Sequence, residues 1–230
     1  MEFFGPLLVV LIILLFGTVF YFLVRHQKAQ KTRKTLIARE LGFAPIEPDE
    51  ALSNRIFQIY EKKWGKTNFE LTNVFHKRIP DGDMYLFDLI NTAGEEDSLT
   101  EEQAIALVSR YLKLPKFTLF PQLVEEGVGV NFANRILRWV VTKAGDPVDF
   151  TGHPDFQERY LVSSPEEDKT RQFLDDRKLH LLSQLHMTGI HAGGDMFVLS
   201  RFFQENQSLN RDQISKRISN AMDIFQIFTD

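Results

Sequence analysis

The sequence predicts an α+β protein in which an N-terminal transmembrane helix precedes a mostly antiparallel sheet with packed helices. Three observations carry this expectation. Residues Phe3 to Val24 hold no charged side chain, and Arg25, Lys28, Lys31, Arg33 and Lys34 follow at once. Two strand-like runs, Leu71 to Ile79 and Met84 to Thr92, flank Pro80-Asp81-Gly82-Asp83, a strong hairpin signal. Amphipathic stretches with helix start and stop residues alternate with further strand-like runs, the pattern of helices on an antiparallel sheet.

The uncharged stretch of 22 residues spans roughly 33 Å as a helix, against a hydrocarbon core of about 30 Å. A cleaved signal peptide fits less well, because Glu2 stands where a basic segment is needed and Phe20-Tyr21-Phe22-Leu23-Val24 offers no small-residue cleavage pair. The basic run places the amino terminus outside and the following domain in the cytoplasm. Thr18 and Tyr21 are the span's only polar side chains, so it reads as a tether in the lipid bilayer without transport chemistry. Arg25, Lys28, Lys31, Arg33 and Lys34 are expected at the membrane interface.

Charge separates along the chain. The total is −4; the basic run contributes +5 and Glu2 −1, leaving −8 from Thr35 onward. An acidic body of this kind argues against nucleic acid as a partner. With no cysteine, disulfides, zinc–thiolate sites and thiol nucleophiles are excluded. The expected organisation is an anchor with its basic segment over 1–34 and an α+β domain over 35–230. A division of the latter near residue 122, giving 35–122 and 123–230, is also open.

Element by element, Lys28 to Arg39 continues the membrane helix as a polar stalk that stops near Gly42, and Pro45 and Pro48 mark a connection. Ala51 to Trp64 shows Leu52, Ile56, Ile59 and Tyr60 at helical spacing before Gly65. Gln103 to Leu112 is ambiguous. Thr100 with Gln103 resembles a capping box and Ile105, Val108, Tyr111 and Leu112 fit one helical face, yet Leu114-Pro115 cuts the run short. Asn131 to Lys143 reads as a helix with Phe132, Ala133, Ile136, Leu137, Val140 and Val141 on one face, capped by Asn131 and ended by Gly145. A strand at Arg159 to Ser163 leads through Ser164-Pro165-Glu166-Glu167 into a helix reaching about His186. A hairpin then turns at Gly193-Gly194-Asp195, and Asn210 with Gln213 opens a last helix with Ile214, Ile218, Ala221, Met222 and Phe225 inward.

Catalytic signatures are scarce. The sequence holds no phosphate-binding loop, nucleophile elbow or paired-histidine zinc motif, and no cofactor or metal site is indicated. His180 and His186 are six apart, about 240° around a helix, which separates them for one metal. Two charged residues inside apolar strands stand out: Asp88 in Tyr85-Leu86-Phe87-Asp88-Leu89-Ile90, and Arg201 in Val198-Leu199-Ser200-Arg201-Phe202-Phe203. Each reads as a residue on a solvated sheet face; as half of a buried ion pair, with one another or with Arg110 or Arg159; or as a catalytic carboxylate with an arginine partner. The helix at Asn131 to Lys143, with Trp139 in its apolar arc opposite Arg135 and Arg138, also suits a membrane interface.

Short elements along the chain carry a resemblance. They include Leu41-Gly42-Phe43, Asn73-Val74-Phe75, Leu86-Phe87-Asp88, Leu114-Pro115-Lys116-Phe117-Thr118-Leu119-Phe120-Pro121, Val148-Asp149-Phe150, His153-Pro154-Asp155-Phe156 and Arg159-Tyr160-Leu161-Val162. Together they resemble a broad group of uncharacterised bacterial membrane-anchored proteins with an α+β domain after one span. The resemblance implies topology, makes the segment before Leu114-Pro115 a strand, and transfers no activity. The expected function is a non-enzymatic, cytoplasm-facing interaction, assembly or regulatory module for another membrane protein or complex. Alternatives are an enzyme using Asp88 with nearby arginines or histidines, and a lipid sensor using Asn131 to Lys143. The oligomeric state is not legible.

Overall fold

The computed structural model describes residues 25, 31–60, 69–91, 101–122, 146–185, 188–200 and 210–230. In chain order these form α1 (31–40), β1 (Ala44–Pro45), α2 (Glu50–Tyr60), β2 (Phe69–Ile79), β3 (Gly82–Asn91), β4 (Glu101–Val108) and β5 (Leu114–Pro121). After these come β6 (Asp146–Val148), α3 (Pro154–Arg159), β7 (Tyr160–Ser164), α4 (Glu167–Phe173), α5 (Asp176–Gln184), β8 (Gly189–Gly194), β9 (Met196–Ser200) and α6 (Arg211–Thr229).

The expected transmembrane helix is corrected here. Among the described residues no helix is long and apolar enough to cross a membrane, and residues 3–24, assigned to the span, lie outside the described residues. The longest described helix, α6, places Arg211, Asp212, Lys216, Arg217 and Asp223 along its 19 residues, a charge load that hydrocarbon does not accept. The single-pass topology, the outside amino terminus, the cytoplasmic placement and the bilayer as partner all rested on that helix and are withdrawn with it. The stalk reading of Lys28 to Arg39 changes too. Over residues 31–40 the helix packs on the sheet, with Ile37 and Ala38 buried in the main core.

All nine strands join one sheet in the order β1-β2-β3-β4-β9-β8-β5-β7-β6, and every neighbouring pair is antiparallel. Strands from both sides of residue 122 share it, because the β8–β9 hairpin inserts between β4 and β5. The ambiguous segment Gln103 to Leu112 is strand as far as Val108 and turn beyond it: β4 alternates Ile105 and Leu107 toward one face with Ala104 and Ala106 toward the other. Period-two burial against neighbouring strands overrides the local helical pattern.

Two layers of side chains cover the sheet. One face buries Phe75, Met84, Leu86, Ile105, Leu107, Phe117, Leu119, Ile190, Phe197 and Leu199 in a cluster with residues of α1 and α3 to α6. The other buries Leu71, Val74, Phe87, Leu89, Ala104, Ala106, Met196 and Val198 against Leu52, Ile56 and Ile59 of α2. Each fully buried large side chain here contributes about 1.5–3 kcal/mol. Phe228 of α6 lies edge-on to Phe117, Phe173 and Phe197, with centroids 5.4 to 6.0 Å apart. The abundant phenylalanines of the described residues therefore serve the core.

Helix boundaries follow local chemistry. The α6 start is a reciprocal capping box in which Asn210 and Gln213 each accept from the other's backbone N–H at 2.9 Å. Asp49 Oδ1 accepts from Leu52 N at 2.7 Å at the start of α2. The helix expected from Ser164 to about His186 is two helices instead. Leu174 ends α4, and Asp175, in extended conformation, caps a second helix, α5, by accepting from Lys178 N at 2.8 Å. Ser164 does not cap α4 as expected; its Oγ donates to Lys116 O and accepts from Glu166 N, holding the turn before the helix.

Candidate functional site at Asp88

Asp88 sits in the middle of β3 and is 4% exposed. The solvated-face reading is thereby corrected: its strand position points to the main core layer, below α1. Lys34 Nζ of α1 donates to Oδ2 at 2.9 Å. Asn73 Nδ2 of β2 donates to the same oxygen at 2.7 Å, and the backbone N–H of Gln103 in β4 donates to Oδ1 at 2.7 Å. Three elements thus converge on one carboxylate, and both oxygens are engaged. Among the described residues its ionic partner is Lys34, not Arg110 or Arg159.

The sheet is locally reshaped around this group. Between the pairs Thr72↔Asp88 and Phe75↔Leu86, β2 carries one residue more than β3. Between Phe87↔Ala104 and Leu89↔Glu101, β4 does the same. Asp88 is therefore flanked by a bulge on each neighbouring strand. Asn73 (φ 49°) and Gln103 (φ 55°) are the two non-glycine residues with positive φ among the described residues, and each lies in one of the bulges. Left-handed backbone costs an L-residue about 1–2 kcal/mol. Asn tolerates that region better than Gln does, since its short side chain bonds locally. The hydrogen bonds to Asp88 hold both residues there. Beside them, Arg217 of α6 donates to Gln103 O at 2.9 Å and Leu199 O at 3.1 Å. Helices α1 and α6 are each tied by a cation to this one region.

The site residues expected from sequence distribute unevenly. Arg25, Lys31 and Arg33 are exposed, and Lys34 is turned inward to Asp88 with its side chain 11% exposed. Lys28, Trp139, the helix expected at Asn131 to Lys143, and Arg201 lie outside the described residues. Arg110 sits at the far end of the sheet, donating to the Tyr111 hydroxyl at 2.9 Å. Arg159 donates to Leu185 O at 2.9 Å. Among the described residues, no three His, Asp or Glu side chains gather to hold a metal ion.

Sequence reasoning missed Lys34, Asn73, Gln103 and Arg217 as neighbours of Asp88. One signal was present: Thr72-Asn73 followed by Val74-Phe75 breaks the alternation that begins at Phe69, which is how an extra residue in a bulge reads.

A second feature lies where the β2–β3 turn meets the β4–β5 connection. A cleft of about 290 Å³ is lined by Arg78, Pro80, Asp81, Gly82, Asp83, Val108, Ser109, Arg110 and Tyr111. Its walls are joined through Ser109, whose Oγ donates to Asp81 O at 2.5 Å and accepts from Tyr111 N at 3.2 Å. Gly82 is required, since a Cβ there would stand 2.1 Å from Val108 O. Asp83 accepts from Arg78 at 3.4 Å and bonds His76 Nε2 at 2.8 Å. The neighbouring Tyr85 hydroxyl is pushed up by burial first, then by the Asp83 charge. The bond to the Tyr111 hydroxyl raises Arg110 further, so its guanidinium stays charged. Tyr111 is 50% exposed. Compared with protein-family models, curated proteins and solved structures, the chain matches none.

Proposed function

We propose that this chain is a non-enzymatic interaction module, assisting the assembly or regulation of another protein, and that the cleft at the β2–β3 turn is its docking surface. The observation that carries the reading is the cleft bordered by Arg78, Arg110 and the exposed Tyr111, its backbone tied through Ser109. Arginine and tyrosine are the residue types that most often anchor protein interfaces, and here both stand on backbone already fixed before any partner arrives. The Asp88 geometry weighs against the enzyme alternative: the carboxylate is 4% exposed and takes three donors from the fold itself, leaving one of its roughly four acceptor positions.

A photo-crosslinking amino acid at position 111 tests this in cells. The reading expects one recurrent protein adduct that disappears when Arg78→Ala and Arg110→Ala are added, with the circular dichroism spectrum unchanged. No adduct, or one indifferent to the arginines, overturns it.

A further inference from the structure

Asp88 Oδ2 holds two side chains that can react with one another. Lys34 Nζ donates to it at 2.9 Å and Asn73 Nδ2 at 2.7 Å. The other oxygen, Oδ1, is satisfied by the backbone N–H of Gln103. What sets Oδ2 apart is the chemistry of its donors. An amine is a nucleophile once it loses a proton, a carboxamide is an acyl group with ammonia to lose, and a carboxylate touching both can carry the proton between them. Two donors on one oxygen at these lengths stand roughly 4–5 Å apart. The carbonyl carbon of Asn73 is one bond of about 1.33 Å from its nitrogen. Side-chain rotation of Lys34 covers the rest of the approach to a reacting separation of about 3–3.5 Å.

The fold holds all three groups in place. Asn73 lies in the β2 bulge at φ 49°, with its carboxamide turned to Asp88. Lys34 is carried by α1, whose next turn buries Ile37 and Ala38 in the main core. The end of that helix is tied by Phe43 N on Ala38 O and by Glu40 to Arg211 of α6. The side chains of Lys34 and Asp88 are 11% and 6% exposed, so water competes little for either. In such surroundings, transfer of a proton from ammonium to carboxylate removes two charges that burial opposes.

We propose that Lys34 and Asn73 join in an intramolecular amide bond, with Asp88 as the proton carrier. Asp88 Oδ2 takes one proton from the Lys34 ammonium, and the freed electron pair forms the Nζ–Cγ bond to Asn73. The proton passes from Asp88 to Asn73 Nδ2, the Cγ–Nδ2 bond breaks, and the nitrogen leaves with that electron pair. It takes a second proton from Nζ and departs as ammonium. Asp88 ends as the carboxylate it was, nothing is oxidised or reduced, and no co-reactant is needed. The reaction turns over once per chain without an outside substrate, so it stands apart from the cleft. Its product ties α1 to β2 and closes a covalent loop around β1 and α2.

Intact mass spectrometry of the full chain, freshly folded and after prolonged incubation, is the test. The expected deficit is about 17 Da, one ammonia, with a branched tryptic peptide joining residues 34–39 to 67–77. Lys34→Arg keeps a cation beside Asp88 without the amine nucleophile, and Asn73→Gly suits φ 49° without a carboxamide. Both variants are expected to fold and to keep full mass, whether or not Asp88→Asn folds. Folded Asp88→Asn is expected to react at least about a hundredfold more slowly, and an unchanged rate overturns its part. Full mass in the incubated, folded chain overturns the proposal. So does a deficit of about 17 Da that persists in Lys34→Arg, which assigns the loss to ring closure at an asparagine. A deficit of about 18 Da with Asp88 in the branched peptide makes Asp88 the acyl partner and overturns it as well.

Discussion

Lys34 and Asp88, 54 positions apart in the chain, meet at 2.9 Å beneath α1, and their side chains are 11% and 6% exposed. At that burial the pair is a junction of the fold. Removing one member strands a charge, which costs about 3–5 kcal/mol when no water replaces the partner. Lys34→Met is therefore expected to lower unfolding free energy by about that amount in urea titration. A loss below about 1 kcal/mol, the range of surface pairs, would show the contact to be incidental.

The two bulges give a prediction of opposite sign for two substitutions at one site. Gln103 holds φ 55°, where glycine is unstrained and a β-branched residue is most strained. Gln103→Gly keeps the backbone N–H that bonds Asp88 and should leave stability within about 1 kcal/mol, since relief of strain offsets added chain entropy. Gln103→Val should fall at least about 2 kcal/mol below Gln103→Gly. Thermal unfolding of the two proteins side by side reads the difference.

Gly82 and Gly193 form a second contrast. A methyl group at Gly82 meets Val108 O at 2.1 Å, whereas at Gly193 the nearest atom is Ile59 Cγ1 at 3.8 Å. Gly82→Ala must displace the β4 backbone and with it the cleft wall, and a loss of about 3 kcal/mol is expected. Gly193→Ala should be neutral or stabilising by up to about 1 kcal/mol, through the unfolded chain. Chemical denaturation distinguishes the two outcomes.

Acid response follows from the Asp175 cap. Its carboxyl is held below the usual range chiefly by the bond from Lys178 N, with the Lys178 ammonium adding to this. A carboxyl with a depressed folded pKa adds stability that is full above its unfolded value and fades as pH falls through the folded one. Asp175→Ala should therefore cost about 1 kcal/mol at pH 7. The gap between variant and parent should close below about pH 4, the unfolded carboxyl range. A gap that persists unchanged at pH 2 would assign the loss to packing.

Much of the sheet was legible because alternation and turn residues are local. The hairpin about Pro80 to Asp83, the capping box at Asn210 and the inward face of α2 follow from spacing alone. Asp88 was legible as an oddity in an apolar strand, but its environment was not. Lys34 lies in a basic run that reads as solvated, and nothing local says that one of its members turns inward. Nor does sequence spacing reveal that β2 and β4 each carry an extra residue against the same aspartate, since bulges are set by pairing between strands. The ambiguity at Gln103 to Leu112 has the same origin, for burial on both faces of β4 supplies what local propensity withholds. The membrane-span expectation came from an uncharged run with a basic flank, and among the described residues no helix is long and apolar enough to provide such a span.

A double-mutant cycle over Lys34→Met and Asp88→Asn measures the junction between α1 and the sheet without reference to any partner. For a buried junction the two substitutions should be coupled by about 2–3 kcal/mol, the double variant losing far less than the sum of the singles. A coupling below about 0.5 kcal/mol would mean that Lys34 and Asp88 act independently, and would contradict their assignment as a buried junction between α1 and the sheet.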